Sequence, residues 1–458
     1  MRYAWESPTP VSLTRSKIES LPPVPMPLLI RPVVALLVSA AILFAGNGLQ
    51  AVLLPLRADF NGFTGLEIGL LGSSYYLGLI VGCLLTPLII SRVGHIRAFV
   101  AFTATATIAP LIHAIWSEPY LWWAMRALNG LCFAGLAMGI ESWLNGASTP
   151  ETRGRVLSAY TFLNLTVVTA GIQMLGLSDP KGFELFSLTA ILYSLAAVPV
   201  ALTSTPAPAV PHSAKLRLGW LATVSPAAVA GCFLTGLANA AFWSLSPVYA
   251  KANGLPITGI ITFLTVSVLA GALTQWPVGW YSDRIGRRAL LVVAATLAAC
   301  AGAGLNLAGS AEHLVLLTMG GVYGAAAFPI YTLCVAHAND LVHKKRAVEV
   351  SSGLLMTFSL GAICGPLVAS WIMSRLGPGA LFLHSAAAHA IIALVMATRI
   401  YLRPELPEET KEIFVAVPSS TQVVFELDPR GEPEEPGSGM AAGDGLTAAA
   451  TPDQSSGP

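Results

Sequence analysis

Charged side chains are scarce in this sequence: Asp, Glu, Lys and Arg together make up 11% of the 458 residues, whereas 54% are hydrophobic. Soluble domains carry about a quarter charged residues, so this composition excludes an ordinary soluble protein. The hydrophobic residues are gathered in runs of roughly 20, which is long enough for a helix to cross the ~30 Å hydrocarbon core of a bilayer. The sequence therefore predicts an all-α integral membrane protein.

Patterns typical of metal, disulfide and catalytic sites are also missing. The six cysteines fall in six different hydrophobic runs without a CxxC spacing, and the eight histidines include no HExxH pair, which argues against a zinc site or a disulfide framework. The sequence has no glycine-rich loop for the phosphates of ATP, and no Ser/His/Asp or Cys/His set with the context of a nucleophile. We therefore expect no metal, no cofactor and no enzymatic activity.

Twelve hydrophobic runs predict twelve transmembrane helices. They lie approximately at 32–55, 66–90, 98–115, 121–145, 156–177 and 183–203, and at 221–249, 257–281, 289–309, 314–338, 350–374 and 379–400. They divide the chain into a cytoplasmic N-terminal segment (1–31), a six-helix bundle (32–203), a cytoplasmic linker (204–219), a second six-helix bundle (220–402) and an acidic cytoplasmic tail (403–458).

The tail differs in composition from the rest of the chain. From Arg403 onward it has three basic and eleven acidic residues, among repeated Pro, Gly, Ser and Ala. A segment of this composition cannot bury enough apolar surface to fold, so we expect the tail to be disordered. We also expect it to be dispensable, so that truncation after Pro404 leaves a folded and active protein.

The distribution of Lys and Arg predicts the orientation. If both chain ends are cytoplasmic, 20 of these residues fall on cytoplasmic loops and ends, 4 fall on the opposite face, and Arg126 alone lies within a helix. Cytoplasmic loops of membrane proteins carry the excess of Lys and Arg. We therefore predict a multi-pass protein of the plasma (inner) membrane with both termini cytoplasmic. This topology explains the basic clusters without any binding of nucleic acid.

The two halves of the chain repeat one another at a shift of 192 to 194 residues. The clearest matched pairs are Asn47 with Asn239, Gly94 with Gly286, and Gly130 with Gly324. Two pseudo-symmetric six-helix halves are the plan of transporters that rock around a central site.

A charged motif, GWYSDRIGRR at 279–288, lies between helices eight and nine, and an altered copy, PLIISRVGHIR at 87–97, lies between helices two and three. The motif resembles the GxxxDRxGRR loop of the major facilitator superfamily. The resemblance implies the fold of that superfamily, transport by alternating access, and a cytoplasmic gate at this loop. Three further stretches, GNGLQAVLLPLRA (46–58), ESWLN (141–145) and RGRVLSAY (153–160), resemble its YcaD-like branch, which implies no substrate.

In the second half the gate motif is complete. Its residues are Gly279, Asp283, Arg284, Gly286, Arg287 and Arg288. Gly286 would permit a tight turn, and Asp283 could accept hydrogen bonds from a helix N-terminus. The arginines could pair with an acidic residue such as Asp340. The alternative is that the arginines only fix the topology.

In the first half the copy of the motif is incomplete. It keeps Arg92, Gly94 and Arg97, but Ser91 stands where the motif has Asp. We expect Glu141, near the cytoplasmic end of helix four, to supply the missing negative charge as a partner of Arg92. A role as a proton carrier is the alternative.

Arg126 is the leading candidate for a functional residue. A charge inside the bilayer is costly, so its side chain should face a polar cavity or a partner. The surrounding RALNG resembles the helix-four motif of the superfamily, in which an Arg is associated with proton coupling. A structural role, with bonds to backbone carbonyls of helix one, is the alternative. Deep carboxylates are scarce, so facilitated diffusion stays open beside proton coupling.

The other candidates for substrate binding or coupling are polar or aromatic. They are Asn47, Gln50, Tyr76, Asn129, Asn164, Asn239, Trp243, Gln275 and Tyr331. Asn164 and Gln173 lie about 180° apart on helix five, so at most one of them faces a cavity. This set of amides, aromatic rings and one Arg suits a neutral or anionic small molecule better than a metal cation.

We therefore expect a monomeric secondary active transporter of a small organic solute, either an exporter or a permease, with protons as a further partner if transport is proton-coupled. Three alternatives stay open. They are a facilitative uniporter, a sensor or partner protein built on a transporter fold with the acidic tail as its signalling element, and a membrane enzyme acting on lipid.

Overall fold

The computed structural model describes residues 26–149, 152–202, 217–309, 312–342, 346–402 and 418–427, with side chains from Val34 to Phe425. Residues 1–25 of the predicted N-terminal segment, residues 204–216 of the predicted linker, and residues 403–417 and 428–458 of the predicted tail lie outside the described residues.

Twelve helices of the described chain are long and apolar enough to cross a membrane, as predicted. The first six are α1 (Met26–Phe60), α2 (Gly65–Val93), α3 (His95–Ile115), α4 (Pro119–Gly146), α5 (Arg153–Gln173) and α6 (Glu184–Ala201). The second six are α7 (Pro226–Ala252), α8 (Ile257–Ile285), α9 (Arg287–Ala308), α10 (His313–Asn339), α11 (Ala347–Leu376) and α12 (Ala380–Leu402). A short helix, Leu218–Val224, precedes α7, and 3₁₀ segments occupy Met174–Leu177 and Gln422–Leu427.

Prolines divide two of the predicted helices. The predicted seventh helix, 221–249, is divided at Ser225 because Pro226 begins α7 as its first residue, a position where the missing N–H of proline costs nothing. Helix α10 consists of two segments, His313–Ala327 and Ile330–Asn339, separated at Phe328 and Pro329. Inside α10 a proline removes one backbone hydrogen bond and crowds the preceding turn.

The two halves have the same internal packing. In the first half α2 packs on α4, α1 packs on α5 and α6, and α3 packs on α6. In the second half α8 packs on α10, α7 packs on α11 and α12, and α9 packs on α12. Each of these helix pairs in the second half corresponds to a first-half pair whose helix numbers are lower by six, in agreement with the sequence repeat.

Matched glycines allow close contacts at equivalent crossings in the two halves. A Cβ atom on Gly130 would lie 2.0 Å from the backbone oxygen of Tyr75, and one on Gly324 would lie 2.0 Å from that of Ser267. Tyr75 and Ser267 are themselves 192 residues apart. Small residues let helix backbones approach closely in membranes, so the same crossing of α2 on α4 recurs as α8 on α10.

The halves meet each other through α1, α2 and α5 on one side and α7, α8 and α11 on the other. We call the side with the α2–α3 and α8–α9 loops the basic face, and the side with the α1–α2 and α7–α8 loops the opposite face. Near the opposite face, the Lys251 ammonium pairs with the Asp59 carboxylate, and Gln173 Nε2 donates to Thr265 Oγ1 over 2.7 Å. The two halves are therefore closed against each other at the opposite face.

At the basic face a segment of the predicted tail packs between the halves. Residues 418–427 contact α4, α5 and α11, and Val423, Val424 and Phe425 are at most 2% exposed. The structure thus differs from the expected disorder at these ten residues. The average composition of the tail does not reveal this local apolar cluster, which buries enough apolar surface to pack against the helices.

Candidate functional site

A cavity of about 270 Å³ lies between the halves, lined by α1, α2, α4 and α5 of the first half and by α7, α8 and α11 of the second. Six of the predicted site residues line it: Asn47, Tyr76, Arg126, Asn164, Asn239 and Trp243. A cavity of about 240 Å³ adjoins it and shares Asn164, Asn239 and Trp243. Gln275 and Tyr331 line this second cavity, so eight of the ten predicted residues face one continuous space.

Arg126 is held on the cavity wall by neutral partners. Its Nη1 donates to Gln50 Oε1 over 3.3 Å and to Asn129 Oδ1 over 3.2 Å. The guanidinium carbon lies 4.3 Å from the centre of the Tyr75 ring, a cation–π distance. Gln50 and Asn129, the two predicted residues that do not line the cavity, therefore position Arg126. Arg126 is bonded to the Gln50 side chain of α1. A structural role for Arg126 had predicted bonds to backbone carbonyls of α1 instead.

Tyr193 on α6 belongs to the same cluster and was not predicted. Its hydroxyl donates to Gln50 Oε1 over 2.7 Å and is fully buried. The two residues are 143 positions apart, and no pattern in the sequence connects them. Tyr193 fixes the orientation of the amide that faces Arg126.

The Arg126 cluster contains no anion. Among the residues that the structure describes, no carboxylate lies within ion-pair distance of Arg126; the described ion pairs involve other cations, Arg217, Lys251 and Arg287. The other polar groups of the cavity are likewise neutral. The Oδ1 of Asn239 and the Oε1 of Gln275 are buried without a hydrogen-bond partner in the described part of the chain. The cavity therefore offers one positive charge and several amides to a bound molecule.

The two polar residues of α5, Asn164 and Gln173, lie on opposite faces of the helix. Asn164 lines both cavities, whereas Gln173 bonds to Thr265 near the opposite face. As the 180° separation requires, only one of them faces the cavity.

The gate motif of the second half forms a buried ion-pair cluster at the basic face. Arg287 Nε lies 2.6 Å from Asp340 Oδ2, with the two side chains 2% and 6% exposed, and Arg287 Nη2 lies 3.8 Å from Asp283 Oδ1. The predicted pairing of a motif arginine with Asp340 is thus present. Both partners belong to the second half, so the cluster ties the α8–α9 turn to α10.

The remaining motif residues of the second half surround this cluster. Gly286 has a φ of 96°, a backbone conformation that favours glycine, and Gly279 is buried in α8. The guanidinium of Arg284 lies 3.5 Å from the centre of the Trp280 ring. Arg288 Nη1 donates to the backbone oxygen of Arg399 over 3.4 Å, which joins α9 to the end of α12.

In the first half the expected pair of Glu141 and Arg92 does not form. Arg92 and Arg97 are exposed beside Gly94, whose φ is 82°. Glu141 is fully buried and accepts hydrogen bonds from the hydroxyls of Tyr160, Ser420 and Thr421. The expectation was wrong because Glu141 lies inside α4 on a buried face, whereas the side chain of Arg92 extends into the surroundings from the end of α2.

Ser419 and Ser420 also line the cavity and were not predicted as site residues. They belong to the tail, whose composition predicts disorder. The three consecutive apolar residues at 423–425 are the one signal that could have drawn attention to this segment.

The comparisons with known sequences agree with the fold. The family model of the Major Facilitator Superfamily matches residues 36–343 and 265–429. An uncharacterized MFS-type transporter of Enterobacter sp. (strain 638) is 27% identical over 375 residues, which cover 81% of this chain and 96% of the relative. The uncharacterized MFS-type transporter YcaD of Salmonella typhi is 27% identical over 388 residues, which cover 82% of this chain and 97% of the relative.

Solved structures of transporters have the same fold. The nucleoside transporter NupG superposes with a TM-score of 0.68 at 13% identity and covers 81% of this chain and 100% of its own. A bacterial homolog of the human lysosomal transporter Spinster, in an inward-facing and occupied conformation, gives 0.67 at 14% identity, with coverage of 83% and 97%. A D-xylose-proton symporter gives 0.62 at 14% identity, with coverage of 83% and 99%. At these identities the likeness concerns the fold alone.

Proposed function

Because this chain belongs to the major facilitator superfamily, we propose that it is a secondary transporter that moves a small organic solute with an anionic or strongly hydrogen-bond-accepting group. The observation that carries the proposal is Arg126, which lies on the wall of the central cavity and whose hydrogen-bond and ring partners among the described residues, Gln50, Asn129 and Tyr75, are all neutral. A bound anion would complete the charge balance of this buried cation.

The amides and aromatic rings around the cavity support an organic solute. Asn47 and Asn239 lie on α1 and α7 at matched positions of the two halves, and Trp243 offers a ring to an apolar part of the solute. Binding sites for small molecules are mostly apolar with a few placed polar groups that fix orientation. A metal cation is not favoured, since no carboxylate lines either cavity in the described residues.

Alternating access is the mechanism we propose. The halves are closed at the opposite face by the Lys251–Asp59 pair and by the packing of α2 on α11, where Ser73 Oγ donates to the backbone oxygen of Ile363 over 2.6 Å. In the second conformation the halves would part at this face and approach each other at the basic face. The buried pair of Arg287 and Asp340 keeps the α8–α9 turn rigid during such a movement.

We propose that the basic face is cytoplasmic, that both termini lie on that side, and that the membrane is the plasma (inner) membrane. The excess of Lys and Arg on this face supports the orientation. A reporter enzyme active only outside the cytoplasm, fused after Leu402, should be inactive. An active fusion would reverse the assignment.

Proton coupling and facilitated diffusion are two versions of this proposal. Fluxes should therefore be measured in proteoliposomes with and without an imposed pH gradient. Accumulation of the solute against its concentration gradient only when the pH gradient is present would indicate proton coupling. Equilibration without accumulation would indicate a uniporter.

The solute class can be tested on the purified protein. A ligand raises the apparent melting temperature in proportion to RT ln(1 + [L]/Kd), so pairs of carboxylates and their neutral amides should be compared by thermal shift. We expect the carboxylate of the effective pair to stabilise the protein more strongly and then to be transported in proteoliposomes. Stabilisation by organic cations alone, or binding without any flux, would contradict the proposal, and binding without flux would favour the sensor alternative.

A further inference from the structure

The segment 418–427 lies where a solute would pass between the cavity and the basic face. Ser419 and Ser420 form part of the cavity lining together with Asn164 and Asn239. The same segment contacts α4 and α5 of the first half and α11 of the second half. One short piece of the chain therefore covers the cavity and touches both halves.

A buried carboxylate anchors this segment. Glu141 is fully buried and accepts hydrogen bonds from the hydroxyls of Ser420 and Thr421. Tyr160 of α5 adds a third hydrogen bond, over 3.2 Å. Two of the three bonds come from the segment, so Glu141 has most of its partners only when the segment is in place. A buried carboxylate without such partners would be strongly unfavourable.

An apolar contact adds to the polar anchor. Val423, Val424 and Phe425 are 2%, 0% and 1% exposed, and a single residue, Gln422, separates them from the two hydroxyl residues that bind Glu141. Hydroxyls that reach a carboxylate, followed by apolar side chains that fill the space between helices, are features of a specific docking site.

We propose that residues 418–427 are an intramolecular ligand of the transporter, which covers the cavity at the basic face and holds the two halves in the conformation closed at the opposite face. Glu141 is the positioning residue of this docking site. A solute can enter or leave through the basic face, and the halves can approach each other there, only after the segment has left. The effect on transport rests on the proposed function; the docking itself does not.

The test places a second negative charge beside the Glu141 carboxylate, which anchors the segment. Thr421→Glu puts a second carboxylate against the buried Glu141 and should expel the segment, because two like charges cannot share a buried site without a large cost. Gln422→Glu is the matched control, since it adds the same charge to the neighbouring, partly exposed residue. Deletion of 418–427 is the second variant, in which no new charge is introduced.

Docking is read out by cysteine labelling, which does not depend on transport. The background replaces the two exposed cysteines, Cys300 and Cys364, by Ala; the other four are buried. One reporter is Val424→Cys in the segment, and the other is Asn164→Cys on the cavity wall. A membrane-impermeant sulfonate reagent is added to the basic face of the full-length, folded protein.

We expect both reporters to be labelled slowly in the parent and in Gln422→Glu. Thr421→Glu should raise the labelling rate of both by about tenfold or more, which corresponds to one buried like-charge contact. The deletion should raise labelling at residue 164 in the same way, and in the protein that keeps Asn164 it should increase the initial solute flux.

Three results would overturn the proposal. They are rapid labelling of residue 424 in the parent, unchanged labelling of residue 164 after the segment has been deleted, and equal effects of Thr421→Glu and Gln422→Glu. If labelling follows the expected pattern but no variant transports any solute, the docking site stands and the proposed function fails.

Discussion

The crossing of α2 on α4 allows a sharp prediction about both stability and the Arg126 cluster. A Cβ atom on Gly130 would lie 2.0 Å from the backbone oxygen of Tyr75, whereas ordinary contact begins at 3.4 Å. Gly130→Ala therefore requires the two helices to move apart by about 1.4 Å, at a cost of about 1–3 kcal/mol, as for other overpacked cores. Because Gly130 lies one turn from Arg126 and its contact is Tyr75 itself, this movement also separates the guanidinium from the ring beneath it.

The matched control lies on the same helix. A Cβ atom on Gly139 would have its nearest neighbour, Cδ2 of Phe99, at 3.6 Å, and Ala in a helix is favoured over Gly by up to about 1 kcal/mol. We expect Gly130→Ala to lower the apparent Tm and to weaken stabilisation by the transported solute, while Gly139→Ala does neither. Gly324→Ala, at the equivalent crossing, should lower Tm but retain solute binding. Equal Tm values for the two α4 variants would refute the reasoning.

Two further predictions concern ion pairs of different burial. Asp59→Asn removes the ion pair with Lys251, whose two side chains are 28% and 33% exposed. Because such a pair contributes at most about 1 kcal/mol, we expect the labelling rate of Ser244→Cys from the opposite face to rise no more than about fivefold. No rise at all would show that this pair does not hold the face closed. Asp340→Asn removes the closest anion of the buried Arg287 and should lower the free energy of unfolding by about 3–5 kcal/mol. The apparent Tm should therefore fall much further than in Asp59→Asn. A fall of equal size would contradict the importance of burial.

The fold could be predicted almost completely from the sequence. The lengths of the hydrophobic runs define twelve helices, and the repeat of glycines at 192 to 194 residues corresponds to real helix crossings, as Gly130 and Gly324 show. Breaks within the helices were less predictable, because hydropathy does not register how Pro226 and Pro329 interrupt backbone hydrogen bonding within an apolar run.

The candidate site could be predicted in composition but not in its pairings. Hydrophobic context and helical phase identified Arg126 and Asn164, since a polar group in a membrane helix must find a polar surrounding. Whether an amide faces the cavity or bonds to another side chain depends on contacts between helices that are far apart in the sequence. Gln50 turned out to hold Arg126 with the help of Tyr193. Two of the partners of Glu141, Ser420 and Thr421, are 279 and 280 residues away, in a tail whose composition suggests disorder.

The proposed transport mechanism depends most on Arg126 as the group that binds the solute. Solute flux per correctly folded molecule should therefore be measured for Arg126→Gln and Arg126→Lys at equal reconstitution. Lys keeps the charge without the planar fork, and Gln keeps some hydrogen bonding without the charge. We predict partial flux for Lys and none for Gln, with both proteins folded. Full flux in Arg126→Gln, with a lowered Tm as its only defect, would contradict the account and leave Arg126 a purely structural residue.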